Sequence, residues 1–81
     1  MKFIIYGKEG CSFCQKAKRL LEVKGLPFTY IDFVKQGMSK EELAQAVGLP
    51  SVSTVPQILE QDTKTYIGGF NELVTYLDKG V

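Results

Sequence analysis

Residues 3–24 constrain this chain more than any other stretch. Phe3-Ile4-Ile5-Tyr6 is a continuous run of aromatic and β-branched residues, the pattern of a central strand covered on both faces. Gly7 ends the run. Beyond a short loop the apolar positions Phe13, Ala17, Leu20 and Leu21 fall at helical spacing, with Gln15, Lys16, Lys18, Arg19 and Glu22 on the opposite side. Gly25 stops that helix in the usual left-handed position and Pro27 follows. Phe28-Thr29-Tyr30-Ile31-Asp32-Phe33 is β-prone and reads as a second strand. Strand, helix and strand within about thirty residues predict a right-handed βαβ unit with parallel strands.

The remainder extends this unit. Ser39-Lys40-Glu41-Glu42 is a capping box with Ser39 as N-cap, and Met38 and Leu43 stand where a hydrophobic staple places them. The helix runs to Gly48, with Leu43, Ala46 and Val47 facing inward. After a connector at 49–55 containing Pro50, Val55-Pro56-Gln57-Ile58-Leu59-Glu60 reads as a strand, with Pro56 tolerated at its start. Gln61-Asp62-Thr63-Lys64 makes a turn, Thr65-Tyr66-Ile67 returns, and Gly68-Gly69 breaks the strand. Phe70, Leu73, Val74 and Leu77 recur at helical intervals to about Lys79, with Asn71 as a good N-cap. The order is βαβαββα, and residues 1–81 are expected to form one α/β domain.

Composition narrows the function. With 44% hydrophobic and 23% charged residues the chain has globular character. A net charge of +1 argues against nucleic acid or an anionic membrane as main partner. The apolar run after Met1-Lys2 is too short for a signal segment or a membrane span, which makes the cytosol the default location. In that reducing compartment a cysteine pair is catalytic, redox-sensing or metal-binding more often than a permanent brace.

Both cysteines lie in Cys11-Ser12-Phe13-Cys14. A thiol at the first turn of a helix meets unpaired N–H groups and the positive end of the peptide dipoles, which favour its anion and mark Cys11 as a nucleophile. Cys14 is its near neighbour on the same helix face but nearer the buried stripe. Cβ atoms three residues apart on a helix stand about 5–6 Å from each other, against about 3.5–4.5 Å in a disulfide, so a small adjustment closes the bond. Two Cys and no His fall short of the four ligands of a structural zinc site unless two chains share it, and leave no Cys–His hydrolase pair. Neither a Walker sequence nor Gly-x-Gly-x-x-Gly occurs.

Cys11-Ser12-Phe13-Cys14 after the first strand, Thr54-Val55-Pro56-Gln57, Ile67-Gly68-Gly69 and the βαβαββα order together resemble the glutaredoxin family of the thioredoxin superfamily, in particular the short dithiol glutaredoxins of bacteria. The resemblance implies a thioredoxin-like fold, a four-stranded mixed sheet flanked by three helices. It also implies a glutathione-dependent thiol–disulfide oxidoreductase in which Cys11 attacks and Cys14 resolves. Glutathione would be a co-substrate, with no tightly bound cofactor. Its glycyl carboxylate would pair with Lys8, and the ring of Phe13 would pack against it. Its cysteinyl part would lie along Thr54, Val55 and a cis Pro56, and its γ-glutamyl group at Gly69, Phe70, Asn71 and Glu72. Glutathionylated or disulfide-containing proteins, ribonucleotide reductase among them, would be the clients of a cytoplasmic monomer.

The chain departs from the family pattern in having Phe13 for Tyr, Ser12 for Pro, and Asn71-Glu72 at the last helix. Some relatives with Ser at the position of Ser12 bridge a 2Fe–2S cluster between two subunits, with the first cysteine and a glutathione from each. A cluster-carrying or redox-sensing module with Cys11 as ligand is therefore the alternative reading. A thioredoxin recycled by a flavoprotein ranks low, since the chain has no Trp.

Overall fold

The structure, a computed structural model, describes residues 2–80. Its elements are β1 (Phe3–Gly7), α1 (Ser12–Val23), β2 (Phe28–Asp32), α2 (Lys40–Val47), β3 (Gln57–Glu60), β4 (Thr65–Gly68) and α3 (Phe70–Gly80). The sheet order is β2-β1-β3-β4. β1 runs parallel to β2, whereas β3 is antiparallel to both β1 and β4. The expected βαβαββα order and mixed sheet are therefore observed.

β1 is central, and its alternation sorts the helices. Phe3 and Ile5 point to one face, where they meet Ala17 and Leu21 of α1, Ile58, and Leu73 and Leu77 of α3. Ile4 and Tyr6 point to the other and pack against Leu43, Ala44 and Val47 of α2, with Leu59 beside them. A fully buried Leu, Ile or Phe side chain contributes about 1.5–3 kcal/mol. Two cores of this kind, one on each face of the sheet, hold the fold.

Gly7 ends β1 as its last residue, still paired with Asp32 of β2. Two local expectations change. On α2 the buried alanine is Ala44 and not Ala46, because the helix packs on Leu59 along the line of Leu43, Ala44 and Val47. At α3 the residue before the helix is Gly69, whose carbonyl accepts the Leu73 N–H at 3.0 Å, so Asn71 lies inside the first turn and is not the N-cap. Periodicity located that helix, but the Gly68-Gly69 corner set its start two residues earlier. The capping box of α2 forms as expected: Glu42 N–H donates to Ser39 Oγ at 3.1 Å and Ser39 N–H to Glu42 Oε1 at 2.9 Å.

The β3–β4 turn is organised by a buried carboxylate. Glu60, 3% exposed, accepts Thr63 N–H at 2.8 Å and Thr63 Oγ1–H at 2.7 Å, and also the backbone N–H groups of Asp62 and Lys2. The bonds from Thr63, first from its backbone and then from its hydroxyl, outweigh burial and hold the Glu60 carboxyl down at about 2 against an ordinary 4.5. A depressed pKa contributes stability that is present above the unfolded value and is lost as pH falls through the folded one. Glu60→Gln should therefore unfold more easily than wild type near pH 7, and the gap should close between pH 4.5 and about 2. Urea unfolding across that range reads it, and a gap independent of pH would contradict the assignment.

Candidate active site

The turn that joins β1 to α1 carries the two sulfurs. Gly10 adopts φ +80°, and Cys11 follows in extended conformation, φ −95° and ψ 110°, as the N-cap of α1. Its carbonyl accepts Gln15 N–H at 3.2 Å, and its sulfur accepts Cys14 N–H at the same distance. A side chain at this position normally accepts an orphan amide of the first turn. Here sulfur does what Ser, Thr or Asp does elsewhere. The first turn of α1 contains no acidic residue, and Glu9 in the preceding loop is paired with Lys35 at 3.5 Å. Dipole and amide thus both favour negative charge on Cys11 Sγ.

Cys11 and Cys14 are joined in a disulfide with their Cα atoms 5.2 Å apart, so the structure represents the oxidised form. The two sulfurs have different surroundings. Cys14 is 0% exposed against the α1–α3 face of the sheet, whereas Cys11 lines an open groove of about 430 Å³. That volume falls in the range of small-molecule sites, ~300–1,000 Å³.

Opposite the sulfurs stands the loop before β3. The Val55–Pro56 bond is cis, as the family resemblance implies, and Val55 O lies 3.8 Å from Cys11 Sγ. Gln57, 5% exposed, fastens this loop: its Nε2 donates to Thr54 O at 2.8 Å, and its Oε1 accepts the hydroxyl of Tyr66. Burial, and to a lesser extent the Glu72 carboxylate, raise the Tyr66 pKa, so that hydroxyl remains a donor.

Of the residues singled out in sequence, Lys8, Cys11, Phe13, Thr54 and Val55 line this groove. Pro56 is buried and is not among the residues that line it. Gly69, Phe70, Asn71 and Glu72 form a separate flank. The flank stays close, since a Cβ built on Gly69 would lie 3.7 Å from Pro56 O and the Phe70 ring is centred 6.2 Å from that of Phe13. Phe13 is 49% exposed, with Lys16 Nζ 4.8 Å from its ring centroid. Glu72 turns back along its own helix: its Oε1 accepts Gly69 N–H at 2.8 Å, half of a capping box.

Sequence reasoning missed two residues. Lys40, at the start of α2, lines the groove together with Lys8. Its neighbourhood carries only a helix-capping signal, and nothing local says that the start of α2 reaches the groove. Gln57 belongs to the Thr54-Val55-Pro56-Gln57 motif, but what holds its buried amide, Tyr66, lies nine residues away across a hairpin. Among the described residues, no three His, Cys, Asp or Glu side chains come together as a metal site. The cluster of the alternative reading would take Cys11 as its ligand from this chain.

The glutaredoxin family model matches residues 3–63. Glutaredoxin 1 of Escherichia coli is 33% identical over 86 aligned positions, covering 100% of this chain and 98% of that protein. The glutaredoxin of Haemophilus influenzae is 41% identical over 63 positions, 72% of this chain and 71% of its own. The reduced E. coli glutaredoxin structure superposes with a TM-score of 0.82 at 33% identity, over 99% of this chain and 96% of that one. Its oxidised counterpart gives 0.81 at 32% identity, over 100% and 98%. The agreement holds in sequence and in three dimensions along the whole length, and the chain belongs to the glutaredoxin family.

Proposed function

We propose that this thiol–disulfide oxidoreductase draws its electrons from glutathione, with Cys11 as the attacking sulfur and Cys14 as the resolving one. The observation that carries the reading is the unequal setting of the pair: Cys11 opens to a groove bearing Lys8 and Lys40, while Cys14 is sealed. In the reduced protein the Cys11 thiolate attacks the glutathionyl sulfur of a mixed disulfide. The client thiolate leaves with the electron pair of the broken bond and takes a proton from solvent. A second glutathione thiolate then attacks that same glutathionyl sulfur, releasing glutathione disulfide and restoring the Cys11 thiolate. With a protein disulfide, Cys11 forms a mixed disulfide with the client and Cys14 attacks Cys11 Sγ, which yields the bond seen here. Glutaredoxin potentials of about −200 to −230 mV lie near the glutathione couple and allow turnover in either direction.

The groove suits a tripeptide with carboxylates at both ends. Lys8 and Lys40 would pair with one, and the free N–H groups of the first turn of α3, at Phe70 and Asn71, would receive the other. Glu72 already takes the Gly69 amide, so it acts there as a cap, and its carboxylate would face the ligand's ammonium end. Val55, between the Thr54 carbonyl that Gln57 holds and the cis Pro56, would offer its backbone to the middle of the peptide. The described residues include no helix long and apolar enough to cross a membrane. A reducing cytosol, where glutathione is abundant, is the setting such chemistry needs. Protein clients, ribonucleotide reductase among them by family resemblance, would approach over Cys11.

Reversing the charge of either lysine tests the groove. One partly exposed ion pair is worth up to about 1 kcal/mol, so Lys8→Glu and Lys40→Glu should each raise the KM for glutathione by roughly fivefold. Turnover with dithiothreitol, which has no carboxylate, should fall much less. An unchanged glutathione KM in both variants would contradict the reading.

A further inference from the structure

Behind the disulfide lies a group that the mechanism above does not use. The hydroxyl of Tyr30, on β2, is fully buried and has no hydrogen-bond partner among the described residues. A polar group in that condition is unfavourable, and native structures carry few of them. It stands over Gly7, the residue of β1 just ahead of the cysteine loop. A Cβ built on Gly7 would lie 2.5 Å from Tyr30 Oη and 2.9 Å from Cys14 Sγ, distances no real side chain sustains. Gly7 has no positive φ that would itself require glycine. Its lack of a side chain leaves one small volume into which both the phenol oxygen and the resolving sulfur project.

In the oxidised form that sulfur is bonded to Cys11 and is a poor acceptor. Reduction changes it. An incoming thiolate attacks Cys11 Sγ, a new S–S bond forms there, and the Cys11–Cys14 bond breaks with its electron pair moving to Cys14 Sγ. That sulfur is 0% exposed and would receive negative charge where solvent does not reach it. We propose that Tyr30 is a positioning residue for this step, its hydroxyl turning to donate a hydrogen bond to Cys14 Sγ once the disulfide opens. The same bond would orient the Cys14 sulfur for its return attack.

The surroundings suit a donor. Burial, and after it the Asp32 carboxylate, raise the Tyr30 pKa, so the phenol keeps its proton. Lys18 Nζ, 5.6 Å from the ring centroid, stands over the ring and leaves the hydroxyl free. Tyr30 Oη is thus unsatisfied in one redox state and supplied with an acceptor in the other. That asymmetry favours the dithiol. The inference rests on Cys11 being the sulfur attacked and Cys14 the one released, but not on glutathione being the attacker.

Tyr30→Phe removes the hydroxyl and keeps the ring, so it deletes no bond in the oxidised protein. The Cys11–Cys14 equilibrium, titrated against dithiothreitol at pH 7, should shift about tenfold toward the disulfide, the size of one net hydrogen bond. That is about 30 mV more negative for a two-electron couple. Urea unfolding should place the loss in the reduced protein, with the oxidised variant as stable as wild type or more so. A potential equal to that of wild type, or equal destabilisation of both redox forms, overturns the proposal. Wild type supplies a check without substitution: the Tyr30 ring-carbon resonance next to the hydroxyl should move on reduction, and an unmoved signal would count against the bond. Because dithiothreitol is the reductant, a failure here is distinct from a failure to use glutathione.

Discussion

Cys11→Ser should reduce neither glutathione mixed disulfides nor protein disulfides above the uncatalysed rate, while Cys14→Ser should keep the first activity and lose the second. The reason is access. A disulfide substrate is bulky at both sulfurs, and only Cys11 faces the groove. With Cys11 replaced, the remaining thiol is 0% exposed on the buried face of α1, and a serine hydroxyl is no nucleophile at neutral pH without an adjacent base. With Cys14 replaced, Cys11 retains its cap geometry, because the stabilising donor is the backbone N–H of residue 14 and not its side chain. Glutathione can then still clear glutathionylated Cys11. A mixed disulfide with a client protein has lost its internal resolving thiol and should accumulate. Mass spectrometry of trapped adducts, alongside a coupled assay on each substrate class, separates the two. The reverse pattern would exchange the roles of the sulfurs.

The architecture was legible in sequence because nearly every element announces itself twice. β1 is both apolar and bounded by Gly7, α1 has an apolar stripe and Gly25 at φ +70°, and α2 has its capping box and Gly48 at φ +79°. Local pattern failed where a boundary depends on a contact remote in sequence. Asn71 is a good cap in isolation, yet the reversal at Gly68, φ +124°, starts α3 earlier and hands the cap to Gly69. Ala46 and Ala44 are equivalent by composition, and only the packing of α2 on Leu59 distinguishes them.

The site divides in the same way. The cysteine pair and the Thr54-Val55-Pro56-Gln57 loop are contiguous words in the chain. What brings Lys40 to the groove, or Tyr30 Oη to Gly7, is the order β2-β1-β3-β4, which places segments dozens of residues apart around one turn. Tyr30 reads as an ordinary strand residue, and it does pack against the core on the α1–α3 face of the sheet. Its hydroxyl becomes conspicuous only when every donor and acceptor has been matched.

The second large effect concerns the ionisation of Cys11 itself. Free cysteine is mostly thiol at neutral pH, with a pKa near 8.5, whereas thiols at helix N-termini reach about 3.5–7.5. Cys11 combines the cap position, the Cys14 amide at 3.2 Å and a first turn without carboxylates, with the Lys8 ammonium on the same groove. Once the disulfide is reduced, each favours the anion, and the anion is the attacking species. The most direct test is the rate at which iodoacetamide alkylates residue 11 of the fully reduced protein as pH is raised from 5 to 10, read peptide by peptide. The rate should already be on its plateau by about pH 7. A rate that keeps climbing through pH 8.5, as an unperturbed cysteine's does, would contradict the account.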